Sequence, residues 1–162
     1  MCGMVLMHSK RDREYLRRLL ENAGIWHHFY EFSEHTMTVE AAAKQLGISP
    51  EKIIKTLVVI NERNQPLIAI VPGNKRLDLN KLRLLTGSKV RMAKAREVEE
   101  ITGYPVGAIP PVGHEITTYV DRNILKHEKV VGGGGDTHTL VELKTEDLTR
   151  LTKAVISDIA EQ

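Results

Sequence analysis

The chain has little of what many site-building proteins rely on. Its one cysteine, Cys2, excludes a disulfide framework and a thiolate metal centre. Aromatic residues are few, with one Trp, two Phe and four Tyr, so the core has to be aliphatic. Neither sign of charge dominates: the net charge of +2 does not fit a general nucleic-acid binder, and any such contact has to come from local basic clusters. No apolar run is long enough to span a bilayer. Residues 1–7 are mostly apolar, but the run stops at His8 and precedes Lys10, Arg11 and Arg13, the wrong charge order for a signal peptide. The expectation is a cytoplasmic protein, without membrane contact, whose first residues form a short strand or an extended arm.

Several chemistries are missing as well. The seven histidines, at 8, 27, 28, 35, 114, 127 and 138, form no HxxxH or HExxH pair, so no metal is expected. The run Gly132-Gly133-Gly134-Gly135 continues as Asp136-Thr137-His138 rather than Gly-Lys-Ser or Gly-Lys-Thr, which argues against a nucleoside-triphosphate loop. There is no G-x-S-x-G elbow and no persuasive Ser/His/Asp order. No cofactor is expected.

What is present fits one domain of 162 residues, enough to bury a core without disulfides. A helix capped by Ser9 runs to Asn22 with Gly24 beyond it, and His28 to Phe32 alternates as a strand. Thr38 caps a helix from Val39 to Leu46 that Gly47 closes, and Ser49-Pro50 opens a single turn. Ile53 to Ile60 pairs with Pro66 to Val71 in the clearest hairpin. Asp78 caps a helix from Leu79 to Leu85, before a short strand at Lys89 to Met92 and a helix from Ala95 to Ile101. Tyr104 to Glu115 is irregular. Strands at Ile116 to Val120 and Lys129 to Val131 flank a short helix at Arg122 to Leu125. A strand at Thr139 to Leu143 and a helix capped by Thr145 lead into the closing segment Ala154 to Ile159. Strands and helices mix without strict alternation, which predicts an α+β or compact α/β fold with a mixed, mostly antiparallel sheet.

Two constellations bear on function. Lys55 sits in an apolar run, Ile53-Ile54-Lys55-Thr56-Leu57-Val58-Val59-Ile60. Its ammonium either reaches water along its stem or meets a phosphate or carboxylate that offsets lost hydration. The segment Thr102 to His114 holds Gly107 followed by Pro110 and Pro111. It is either an ordinary surface loop or a stiff one that presents the N–H groups of Gly107, Ala108 or Ile109 to a carbonyl or oxyanion. The four-glycine run reads as a hairpin turn or as the wall of a pocket for a small group. His35 and His138, each beside loop residues, lie on the surface or line a cleft.

His35-Thr36-Met37-Thr38-Val39-Glu40-Ala41-Ala42, Leu46-Gly47, Ile54-Lys55-Thr56-Leu57-Val58, the Gly107-x-x-x-Pro111 loop and the late glycine run, in this order, resemble the YbaK/prolyl-tRNA synthetase-associated editing domains over about residues 10–160. The resemblance implies a sheet curled into a barrel-like core with flanking helices. It also implies a free-standing trans-editing deacylase that serves translation fidelity by hydrolysing the ester of mischarged tRNA carrying a small amino acid such as Ala, Cys or Ser. Lys55 would hold the phosphate of the terminal adenosine, and Gly107 would act with it as the second catalytic residue. Substrate-binding roles fall to His35, Thr38, Thr56, Ala108, Ile109, Pro110, Pro111, Gly134, Gly135 and His138. The implied partners are the 3′ end of a mischarged tRNA and an aminoacyl-tRNA synthetase. The glycine run is richer in glycine than in several relatives and carries Asp136 and His138. Two other readings stand beside this one: a non-catalytic module that binds tRNA ends or nucleotides with a synthetase, and a small-molecule enzyme of the same fold.

Overall fold

The computed structural model describes residues 10–33 and 38–162, which form two sheets and five α-helices. Helix α1 (Arg13–Asn22) is capped by Asp12, whose carboxylate accepts from the Tyr15 amide at 3.0 Å, and buries Leu16 and Leu20. Ser9, the expected cap, lies outside the described residues; the helix begins later because Asp12 supplies the acceptor that its first amides require. Strand β1 (His27–Glu31) starts one residue before the alternation suggests. Helix α2 (Val39–Leu46) starts on Thr38, whose hydroxyl accepts from the Ala41 amide at 3.0 Å, and stops at Gly47 in the left-handed region.

A 3₁₀ turn at Pro50–Lys52 leads into β2 (Ile54–Asn61), which pairs antiparallel with β3 (Pro66–Pro72), Lys55 opposite Val71. Asp78 caps α3 (Leu79–Thr86), and β4 (Val90–Met92) precedes α4 (Ala95–Thr102). An irregular stretch, as expected from its prolines, reaches β5 (Thr118–Asp121) and a 3₁₀ helix at Arg122–Lys126. Strands β6 (Lys129–Gly133) and β7 (Thr139–Lys144), helix α5 (Thr145–Thr152) and β8 (Val155–Ser157) follow. Thr145 is the first residue of α5 and not its cap: its hydroxyl donates to the His127 carbonyl at 2.5 Å and ties the helix to the start of β6.

The sheets have the orders β1-β7-β6, all antiparallel, and β4-β2-β3-β5-β8, antiparallel through β3 and parallel beyond it. The expected barrel-like closure is not found. Among the described residues the only pairing between the sheets is a single parallel bridge, Ile53 to Val131. The Ile109–Pro111 segment lies against β6 at Gly132 and Gly133, and prolines 110 and 111 have no N–H to add to a ladder.

The principal core fills the space between the sheets, with Ile54, Val58, Ile68, Ile70, Val120, Val130, Val141 and Leu143 facing Leu16, Leu20 and Leu148. It is aliphatic, as the scarcity of aromatics requires. The second face of the larger sheet packs Val59, Ala69 and Val71 under Leu82 and Ile159. Among the described residues, no helix is long and apolar enough to cross a membrane.

Candidate functional site

A cavity of about 300 Å³ opens beside β2. Its floor is β2 from Ile54 to Val58, one wall is α2 with Thr38, Val39 and Ala42, and the opposite wall is Met92, Ala93 and Val98. Val106, Gly107 and Ile109 cross over it, and Gly133 and Leu140 close the far side. The lining is mostly apolar. Such a site gains affinity from excluding water and specificity from the few polar groups left in it.

The position follows from strand pairing. β4 pairs with β2 only at Val59–Asn61, and the Ala93 amide donates to the Val58 carbonyl at 3.0 Å. Backbone direction alternates along a strand, so the Thr56 N–H and C=O point to the same edge as those of Val58, where β4 has already ended. The Thr56 hydroxyl oxygen is buried and makes no hydrogen bond among the described residues. A ligand entering here meets both an uncovered strand edge and an unsatisfied hydroxyl, and a buried polar group left unpaired favours a partner that can satisfy it.

Lys55 lines the same cavity and is half-buried. Among the described residues it makes no ion pair. Burial holds its pKa below the ordinary lysine value of 10.5, Glu40 opposes the shift and Arg76 adds to it. An anion in the cavity would restore what the ammonium loses on desolvation.

The irregular segment supplies the second polar element. Gly107 adopts φ +85, and a β-carbon built there has no atom within 4 Å, so its glycine is required by backbone conformation and not by crowding. The Ala108 amide is already engaged, donating to the Pro105 carbonyl at 3.0 Å, and Ala108 is fully buried outside the cavity lining. It is therefore not available as the third donor that the sequence suggested. Among the described residues no hydrogen bond takes up the amides of Gly107 or Ile109, and both residues line the cavity. Pro110 and Pro111 are buried behind the loop and stiffen it.

The glycine run is neither a free turn nor simply a pocket wall. Gly132 and Gly133 belong to β6, and the turn occupies the residues after them. A β-carbon at Gly133 would lie 2.4 Å from the Ile109 carbonyl oxygen, and one at Gly132 would lie 3.2 Å from the Pro111 ring. Gly134 and Gly135 lie outside the cavity lining. The Gly135 amide donates to the Ala108 carbonyl at 3.0 Å and so anchors the loop. His138 is exposed and lines a smaller adjoining cavity of about 160 Å³ with Phe32, Asp136 and Thr137; Val106, Gly107 and Leu140 separate the two spaces.

Of the residues expected at the site, Lys55, Gly107, Thr38, Thr56 and Ile109 line one cavity. Ala108, Pro110, Pro111, Gly134 and Gly135 support it from behind, and His35 lies outside the described residues. Met92, Ala93, Val98, Val106 and Leu140 were not singled out, because isolated apolar residues carry no local signal and only the tertiary arrangement gathers them. Among the described residues no three His, Cys, Asp or Glu side chains group as metal ligands.

Comparison with known proteins identifies the family of this fold. The model of the aminoacyl-tRNA editing domain matches residues 33–151. A protein of Enterococcus faecalis, named as a candidate Cys-tRNA(Pro)/Cys-tRNA(Cys) deacylase EbsC, is 32% identical over 147 residues, covering 88% of this chain and 90% of that protein. The crystal structure of a candidate trans-editing enzyme for prolyl-tRNA synthetase superposes with a TM-score of 0.86 at 32% identity, covering 93% of this chain and 97% of that one. The proline–tRNA ligase of Maridesulfovibrio salexigens is 37% identical over 105 residues, 62% of this chain but only 18% of the ligase. With the match to its model spanning well over half the sequence, this chain belongs to the aminoacyl-tRNA editing domain family.

Proposed function

We propose that this protein is a trans-acting aminoacyl-tRNA deacylase that hydrolyses the ester of a mischarged tRNA bearing a small amino acid such as alanine, cysteine or serine. The observation that carries the reading is that Lys55, Gly107 and Ile109 line one small, mostly apolar cavity, and that among the described residues no hydrogen bond takes up the amides of the latter two. Lys55 holds the phosphate of the terminal adenosine and fixes the 3′ end. The loop amides face the ester carbonyl, where negative charge develops as water adds. Collapse of the tetrahedral species breaks the bond between the acyl carbon and the ribose oxygen, releasing the amino acid and a tRNA with a free hydroxyl.

No carboxylate or imidazole lines the cavity among the described residues. In this reading the proton of the attacking water passes to the neighbouring ribose hydroxyl of the substrate while that hydroxyl's own proton passes to the departing ribose oxygen, so positioning and charge stabilisation are the protein's contribution. An aminoacyl ester is already activated, and each 1.4 kcal/mol or so removed from its barrier gives about a tenfold rate gain. Apolar walls, with Met92, Val106 and Leu140 narrowing the space, exclude larger amino acids by size. The name carried by the Enterococcus faecalis relative supports cysteine as one substrate.

The test is a panel of mischarged tRNAs incubated with purified protein, with ester loss as the readout. Lys55→Ala abolishes turnover while the melting temperature is kept, and Cys2→Ala changes neither. Gly107→Val lowers kcat/KM because the left-handed backbone at that position resists a β-branched residue. A second reading follows from the absence of a base in the described lining: a module that binds tRNA ends for a synthetase. It replaces the first if wild-type protein binds the panel but cleaves none of it.

A further inference from the structure

The rim of the cavity is electrically lopsided. Along its β4–α4 side the segment Lys89-Val90-Arg91-Met92-Ala93-Lys94-Ala95-Arg96 presents four cations, all exposed, and its apolar members Met92 and Ala93 form the cavity wall. Only Arg91 is neutralised, by Glu97, with two N–O contacts of 2.9 Å. Among the described residues Lys89, Lys94 and Arg96 make no ion pair. The α2 side differs: its exposed charges there, Glu40 and Lys44, cancel, and beyond Leu140 the chain offers Asp136.

With a net charge of only +2 over the whole chain, an anionic polymer finds attraction where cations are concentrated. The strip is placed for that. Lys89 and Arg91, two residues apart in extended chain, are separated by about 7 Å along the strand, and Lys94 and Arg96 carry the row onto the first turn of α4. Met92 and Val106, 42% and 55% exposed, are apolar lips at the mouth, suited to an unstacked base or ribose rather than to a phosphate.

We infer that the Lys89–Arg96 strip is the track for the acceptor-stem phosphates, so that the RNA duplex lies across β4 and the start of α4 while its single-stranded 3′ end passes between Met92 and Val106 into the cavity. The inference rests on the proposed tRNA substrate and adds the face on which that RNA lies. Lys55 then grips the last phosphate inside the cavity, and Lys89, Lys94 and Arg96 grip phosphates outside it. Arg91, already paired with Glu97, contributes less.

The test uses a deacylated acceptor-stem RNA hairpin with a single-stranded 3′ end, followed by fluorescence anisotropy over a range of salt. The triple variant Lys89→Glu, Lys94→Glu, Arg96→Glu is compared with a control of equal charge change, Lys126→Glu, Lys144→Glu, Lys153→Glu. The rim variant loses at least about tenfold in affinity, and the slope of log affinity against log salt becomes shallower by about two to three. The control loses much less. The milder pair Lys94→Gln, Arg96→Gln, checked by thermal melting, gives a smaller loss in the same direction and guards against misfolding. Equal losses in the rim and control triples, no loss in the rim variants, or no binding by the wild type overturns the track.

Hydrolysis of an aminoacyl ester of adenosine 5′-monophosphate, which keeps the terminal phosphate but lacks the stem, separates the two proposals. The rim triple retains wild-type turnover on it. Should the wild type cleave neither the aminoacyl ester of adenosine 5′-monophosphate nor any aminoacyl-tRNA, the hydrolase reading falls, while the anisotropy still decides where the RNA lies.

Discussion

Gly133 and Ile109 are packed so closely that a β-carbon on the glycine would stand 2.4 Å from the Ile109 carbonyl oxygen. Strand β6 and the loop that crosses the cavity thus touch backbone to backbone, and the position of the Ile109 amide is set by the missing side chain of its neighbour. Gly133→Ala must displace backbone rather than the end of a flexible side chain. The expected result is a stability loss of about 1–3 kcal/mol, as for overpacking elsewhere, together with a fall in kcat/KM of at least about tenfold. Urea denaturation and deacylation kinetics measure the two. A full-rate Gly133→Ala enzyme would mean that the loop amides do not act on the ester.

Lys55 has to be charged to hold an anion, and burial lowers its pKa, with Glu40 opposing and Arg76 adding to the shift. Anion binding therefore weakens as pH rises through that lowered pKa, before an ordinary lysine would titrate. Arg76→Gln moves this loss to higher pH and Glu40→Gln to lower pH. Calorimetric binding of adenosine 5′-monophosphate across the alkaline range checks both without interference from spontaneous ester loss. Lys55→Arg does not restore wild-type binding, since a planar fork does not occupy the space of an ammonium.

His114 follows the prolines of the loop, and both its ring nitrogens are shut off from solvent. Burial pushes its pKa from 6.5 down to about 4, against the opposing effect of the Pro111 and His114 backbone, and Arg11 adds to the lowering. Above pH 6.5 the ring is neutral in folded and unfolded chains alike, so it contributes no pH dependence. As pH falls from 6.5 towards 4 the unfolded chain takes up a proton that the folded one refuses, and stability declines by up to the order of 3 kcal/mol. Urea midpoints between pH 7 and pH 4 follow this decline, and His114→Phe flattens it. An unchanged slope in that variant would assign the acid sensitivity elsewhere.

Asp121 is fully buried at the end of β5 and accepts four hydrogen bonds: Oδ1 from the amides of Ile159 and Ala160 at 3.0 and 3.1 Å, and Oδ2 from the Asn123 backbone and side chain at 3.1 and 3.0 Å. It ties the last residues to the sheet. Asp121→Ala leaves those donors buried and unmatched, with a loss on the order of 3 kcal/mol. Asp121→Asn recovers only part, because its amide nitrogen faces donors. Hydrogen exchange at the Ile159 amide rises in both, and unchanged protection there would refute the tether.

Local signals placed most elements well. Thr38 with Gly47, Asp78, Pro50 and the Lys55 hairpin lie where capping and alternation put them. These features act over a few residues, so the chain carries them in plain view. The signals misled where a distant partner decided the outcome. Thr145 has a cap-forming side chain, yet its hydroxyl goes to His127, and four successive glycines suggest a turn where two of them continue a strand.

The sequence by itself determined the aliphatic core, the α+β class, the identity of the half-buried cation and the stiffness of the loop after Gly107, since each depends on residue type and short-range sterics. Only the tertiary structure decided that the sheets stay open, that Ala108 is buried outside the cavity, and that Met92, Val106 and Leu140 line the same cavity as Lys55. Those outcomes depend on which backbones approach one another across long separations, and that is set by packing the whole chain at once.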